Sequence, residues 1–294
     1  MTVTEIARKD FEDAVRSRML WGIMAVFVGF MAFVIVIALN TADAAEATSG
    51  RAMSLIAQLA QLFVPLIALI AGYLAIVGER RAGSLRILLG YPHSRRDVVL
   101  GKLLGRSAVI AVTLSVGSLL TAGLVAATIA VPDPVNAAGV LGSIVLFGVA
   151  FAGVAVGISA AVRTRGKAMA LAIGLLLIFL VIWDALAALT YQAVTGALPG
   201  LKVEAWYFLF LRISPIAAFR ALADGFVTGP ISDFFVWGLE QIPRDTSPEQ
   251  LTVANRVRGP LPFYLTEWFA AATLLMWGVV PAIIGYTRFR DSDL

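Results

Sequence analysis

LIAQLAQLFVPLIALIAGYLAIV, residues Leu55–Val77, runs without a single Asp, Glu, Lys or Arg, and the segment that follows it, 78–106, carries seven Lys or Arg against two acids. Together these two stretches decide the fold. A helix needs about 20 predominantly apolar residues to cross a hydrocarbon core roughly 30 Å thick. A barrel strand would instead alternate apolar and polar residues over about 10 positions. Leu55–Val77 therefore reads as a membrane-spanning helix that emerges into a basic loop. Working outward, comparable runs occur at Trp21–Leu39, Ser107–Val131, Val135–Val162, Ala168–Leu189 and Trp268–Tyr286, with Asp184 as their sole charged residue. The expected fold class is an all-α membrane protein with six transmembrane helices in a single 1–294 domain. Composition agrees: 60% of the 294 residues are hydrophobic and 14% charged, with a mean hydropathy of +0.88. That is more apolar surface than one soluble core hides.

Basic residues in the short flanks set the orientation. With a cytoplasmic N-terminus, segments 1–20, 78–106, 163–167 and 287–294 hold 16 of the 23 Lys and Arg, while the short outer loops hold only Arg51. The positive-inside rule then places both termini in the cytoplasm of a multi-pass protein of the plasma membrane. The long segment 190–267, with six basic and seven acidic residues, falls outside. The net charge of +4 follows from this asymmetry against anionic lipid on the inner face and gives no case for nucleic acid. Residues 41–45 resemble a signal-peptidase site, but the apolar stretch and charged flank before them are too long for a secretory signal, so the first run reads as an anchor.

Within 1–20, Val3, Ile6, Ala7, Phe11, Ala14, Val15 and Met19 recur at helical spacing, opposite Glu5, Lys9, Asp10, Glu12, Asp13 and Arg16. This predicts an amphipathic helix at the interface, bent like an elbow into the first span. Gly153 and Gly157 form a Gly-x-x-x-Gly face in the fourth run, suited either to packing within the chain or to a dimer contact; Thr113, Gly117 and Thr121 form a similar small face in the third. Gln58 and Gln61 either line a substrate route or hydrogen-bond a neighbouring helix, and Pro65 is expected to break the backbone ladder beside them. Asp184 is expected near the outer interface, snorkelling to water or lining the same route. Trp206–Leu211, Ile213–Phe219 and Phe234–Trp237 in segment 190–267 are apolar but too short to span, which predicts interfacial or re-entrant helices.

A search for catalysis is negative. The lone histidine, His93, stands in the basic loop, and the chain contains no cysteine. No His–carboxylate dyad, thiolate nucleophile or thiolate metal site can be built from that inventory. Gly101-Lys102 is followed by Leu103 and lacks the upstream glycine of a phosphate-binding loop, so the chain is not expected to hydrolyse ATP. Met24 and Met31 share a helix face but read as core residues, and no metal site is expected. In the basic loop, Ser84–Leu89 predicts a short helix broken at Gly90-Tyr-Pro92. Ser94 is placed to cap a second helix that runs from Arg95 into the third span.

At these residues the chain resembles the type-2 ABC exporter permeases. Their second and third spans are joined by Glu-x-x-x-Gly-[Ser/Thr]-Leu-x-x-Leu-Leu-x-x-Pro-x-Ser-Arg followed by Gly-Lys. The matching positions are Glu79, Gly83, Ser84, Leu85, Leu88, Leu89, Pro92, Ser94, Arg95, Gly101 and Lys102. An elbow helix, six spans, Ser214–Arg220 and the C-terminal Gly285–Leu294 extend the likeness over the whole chain. Within the family the chain is most similar to the subgroup that includes the permease serving nitrous-oxide-reductase maturation.

The resemblance implies that segment 78–106 is a coupling element docking on a separate ATP-binding subunit. ATP and Mg would be bound by that subunit, and no cofactor by this chain. A second copy, or a related permease, would complete the pathway within the membrane lipid. The protein is then no enzyme by itself, and its cargo is left open by the likeness. A secondary transporter would show inverted repeats or several mid-membrane ionisable groups. A membrane anchor or scaffold for an ATPase complex needs only the same docking loop and is the alternative reading.

Overall fold

The computed structural model describes residues 2–40, 48–82, 94–227, 231, 238–243 and 245–291. Local chemistry starts and stops most of the helices. The Glu5 carboxylate accepts the Thr2 backbone N–H at 2.7 Å and begins α1, Val3–Val15. Next come α2, Arg18–Asn40, and α3, Ser49–Gly72, whose N-cap Thr48 accepts from the Arg51 N–H at 3.2 Å. The short α4 covers Val77–Ala82. Helix α5, Arg95–Thr128, opens with a capping box: Ser94 accepts the Asp97 N–H while Asp97 accepts from the Ser94 N–H. Asp133 caps α6, Pro134–Ala161, with Pro134 in its first turn.

The fifth expected run is helical from Arg165 to Thr195. It comprises α7, Arg165–Leu177, a π-helical turn at Ile178–Ile182, and α8, Trp183–Thr195. Helix α8 ends at Gly196, whose φ of 81° closes it in the left-handed region open to glycine. After α9, Ala205–Ile213, and α10, Pro215–Ala223, a four-residue α11, Val253–Arg256, precedes α12, Glu267–Arg290.

Among the described residues five helical stretches are long and apolar enough to cross a bilayer: Ser49–Arg80, Arg95–Thr128, Pro134–Ala161, Arg165–Thr195 and Glu267–Arg290. Helix α2 coincides with the expected first run and has 23 residues, a rise of about 35 Å. Each of the six apolar runs read from the sequence thus has a helix. Helices α9 and α10 meet at 113°. With nine residues each they rise about 13 Å apiece, well short of a ~30 Å core. They fit the interfacial or re-entrant expectation; Phe234–Trp237 lies outside the described residues.

Helix α6 is the hub, buried along most of its length and packed on α12, α3 and α5. Its Gly153–Gly157 face meets α12 backbone to backbone. A Cβ built on Gly153 would lie 2.0 Å from the Gly278 carbonyl oxygen, and one on Gly157 would lie 2.3 Å from that of Pro281. Small residues make such an approach possible where no water drives the helices together. On the α3 side, Phe147 of α6 stacks on Phe219 of α10 at 4.4 Å. Segment 190–267 adds a small core of its own around Tyr191, Val203, Tyr207 and Val257. There Glu240 accepts from the Tyr207 hydroxyl at 2.9 Å and pairs with Arg256 at 3.1 Å.

Two expectations are corrected. Pro65 is buried inside an uninterrupted α3, because losing one N–H does not open a helix whose inner face is packed against α6. The break falls instead at Tyr73–Ile76, where Gly72 lies against Ala155 and the Ser159 hydroxyl accepts the N–H groups of Ile76 and Val77 at 2.9 and 3.1 Å. A side chain of α6 thus replaces the carbonyls those donors would meet in a continuous helix. The second correction concerns α1. Asp10, assigned to its polar face, is 3% exposed and buried together with Ile6 and Ala14 against α5.

Candidate functional site

The segment 83–93 lies between α4 and α5, and Gly83, Ser84, Leu85, Leu88, Leu89, Pro92 and His93 lie outside the described residues. Its two flanks lie within the described residues. At one end stands Glu79 in α4, and at the other Ser94, Arg95, Gly101 and Lys102 in the first turns of α5.

Lys102 is 7% exposed. Its Nζ donates to Glu79 Oε1 at 2.5 Å and to Asp10 Oδ1 at 2.8 Å. Arg106, one turn on, donates to Asp10 Oδ1 at 3.1 Å and brings Nε to 2.9 Å from Oδ2, while another nitrogen bonds the Ala71 carbonyl at 2.9 Å. Two carboxylates and two cations from three helices therefore share one site, with Asp10 and Lys102 buried and Glu79 and Arg106 partly exposed. Their formal charges cancel, as a buried ion cluster requires. Gly101 and Gly105 make the approach possible: a Cβ on the first would sit 2.6 Å from Ile6 Cγ2, and one on the second 2.8 Å from Asp10 Cβ. The Gly101-Lys102 half of the motif is thus the seat of α1.

Arg95 reaches elsewhere. It donates to the carbonyls of Phe289 and Arg290 at 2.7 and 2.8 Å, at the C-terminal end of α12, where a cation also meets the negative end of the helix dipole. Arg80 and Arg95 flank the Phe289 ring at 5.2 and 5.5 Å from its centroid. Both ends of segment 83–93 are in this way tied to helices distant in sequence: α1 by Lys102, α6 by the Ser159 bonds before α4, and α12 by Arg95.

The residues proposed for a pathway lie on two helices, α3 and α8. Gln61 is fully buried in the α3 core and Gln58, one turn away, is half-buried. Asp184, expected to snorkel, pairs with Arg220 of α10 at 3.1 Å, immediately after the π-helical turn. Beside it the Trp183 indole donates to the carbonyls of Phe210 and Leu211, both at 3.2 Å. Sequence reasoning did not single out Asp10, Arg106 or Ser159, and reached Arg220 only as the end of the Ser214–Arg220 likeness. Of the first three, Asp10 carried a signal, since it sits one turn from both Ile6 and Ala14 on an otherwise apolar stripe.

Residues 4–294 match the family model described as ABC-2 family transporter protein. A probable ABC transporter permease protein NosY of Pseudomonas aeruginosa is 30% identical over 247 residues, covering 79% of this chain and 87% of that one. A probable NosY of Stutzerimonas stutzeri is 31% identical over 196 residues, covering 62% of this chain and 68% of its own. With a match along nearly its whole length and apolar helices of spanning size, the chain belongs to the ABC-2 family of transporter permeases.

Proposed function

We propose that this permease is the membrane half of an ATP-driven exporter, coupled through segment 78–106 to a separate ATP-binding subunit that supplies ATP and Mg. Two copies, or one copy and a related permease, form the pathway, and both termini lie in the cytoplasm. The observation that carries this reading is the Asp10–Lys102–Glu79 cluster. A push delivered to Gly83–Leu89 has two routes into the membrane. One leads through Glu79 and the Ser159-bonded turn to α3 and α6, and the other through Lys102 to α1 and α5. Inward movement of paired coupling segments would tilt these elements together and favour an outward-open state, a population shift driven from outside the chain. In this scheme Gln58, Gln61 and Asp184 border the route, and the Asp184–Arg220 pair sits at its outer end.

The test is co-purification. Leu88→Asp with Leu89→Asp should insert into the membrane at wild-type level but retain about tenfold less ATP-binding subunit. Undiminished binding would remove the docking assignment and leave the network as scaffolding.

A further inference from the structure

We propose that the groove between α6, α7, α9 and α12 holds a phospholipid as a resident structural ligand, with its phosphate on Arg212 and an acyl chain along α12. The groove encloses about 540 Å³. Its floor exists because Gly157 and Gly285 carry no side chains: a Cβ on Gly285 would lie 2.3 Å from the Gly157 carbonyl oxygen, so the backbones touch and leave a trough above them. Leu171, Leu209 and Trp277 wall it. Met276 and Ile284, more than half exposed, open it sideways toward lipid. It follows α12 from Phe269 to Gly285, about 24 Å of helix against ~15 Å for half of a hydrocarbon core. An acyl chain fits that shape and lining.

Arg212 points to the headgroup. It is 7% exposed and belongs to the groove wall. Among the described residues it forms no ion pair and donates one hydrogen bond, to the Thr266 carbonyl at 3.5 Å. A guanidinium has five N–H donors in a planar fork, and a desolvated cation without an anion in contact is costly. Asp224 and Glu267 are near enough to favour its charge, but neither forms an ion pair with it among the described residues: Asp224 accepts the Ile231 N–H at 2.7 Å, and Glu267 is exposed, beside Gly225. A phosphodiester matches the fork in charge and geometry, and Thr266 precedes the first residue of α12, at headgroup level. A trough that is apolar along its length and cationic at one end has the polarity of a phospholipid. The proposal is independent of the ATP-binding partner, because its test uses the permease alone.

The chain is purified in detergent, stripped of lipid and titrated with dioleoylphosphatidylethanolamine, with dioleoylglycerol of the same acyl chains, and with inorganic phosphate. Adducts are read by native mass spectrometry and stability by thermal melting. The phospholipid should bind one per chain and raise the melting temperature, and dioleoylglycerol should bind about tenfold more weakly. Phosphate alone should do nothing. Arg212→Gln should weaken phospholipid binding by about tenfold. Thr273→Trp, which fills the trough and leaves Arg212 in place, should displace it and carries the test if the first variant does not fold. Equal binding of dioleoylglycerol, an equal shift with phosphate alone, unchanged affinity in Thr273→Trp, or a second copy cross-linked across Met276 with lipid excluded would each overturn the assignment.

Discussion

Lys102 sits between two carboxylates on different helices, and its neighbour Arg106 shares one of them, so its removal leaves a surplus negative charge, chiefly on Glu79, whose side chain is 32% exposed. Breaking a fully buried pair from one side costs about 3–5 kcal/mol, and the partial exposure of Glu79 puts this site below that range. Lys102→Met should therefore lower the melting temperature of the purified chain by several degrees. Adding Glu79→Gln restores neutrality and should recover part of the loss. Scanning fluorimetry on both variants checks the order, and a double variant no better than the single one would show that Glu79 is screened by solvent. The cluster could be read only in part from sequence. Glu79 and Lys102 were visible as motif positions, but a motif gives spacing along the chain and not the identity of the third partner. Asp10 lies 92 residues from Lys102, and one residue's position on a 3.6-residue stripe is the only trace of it.

At the scale of elements, the glycines divide by what faces them. Alanine at Gly153 would drive its Cβ into the Gly278 carbonyl, a backbone atom that cannot turn aside. Forcing extra volume into such a contact costs about 1–3 kcal/mol. Gly142, in the same helix, has nothing within 4 Å, and alanine there should stabilise by about 0.5–1 kcal/mol through lower entropy of the unfolded chain. Gly101→Ala belongs with Gly153→Ala, because Ile6 Cβ at 2.7 Å and the Val3 carbonyl oxygen at 3.1 Å cannot swing aside. Melting of the three variants should place Gly142→Ala above the other two, and a stable Gly153→Ala would mean that α6 and α12 are not in backbone contact. The Gly-x-x-x-Gly pair was legible from the sequence, but its partner was not, since a small face serves a neighbouring helix and a second copy equally well. The π-helical turn at Ile178–Ile182 had no sequence signal at all: five apolar residues without glycine or proline read as ordinary helix.

For the whole molecule, topology is the quantity to measure, and the absence of cysteine makes it direct. Single cysteines at the exposed positions Arg51 and Glu249 should react with a membrane-impermeant maleimide in intact cells, and cysteines at Arg8 and Arg288 only after the inner face is opened. The reverse pattern would invert the chain and remove segment 78–106 from any cytoplasmic ATPase. Sequence by itself determined the apolar runs, their helical character and the basic polarity of their ends, because the bilayer requires each spanning segment to satisfy its own backbone and to stay free of charge over a fixed length. It also carried the family, through glycine, leucine and proline spacing in one loop. The tertiary structure alone decided where α3 breaks, that α9 and α10 meet at 113°, that Asp184 finds Arg220, and that Arg212 lines an open trough. These depend on which side chains of distant segments arrive at the same point in space, and the repeating requirement of the membrane, identical for every span, holds no information about that.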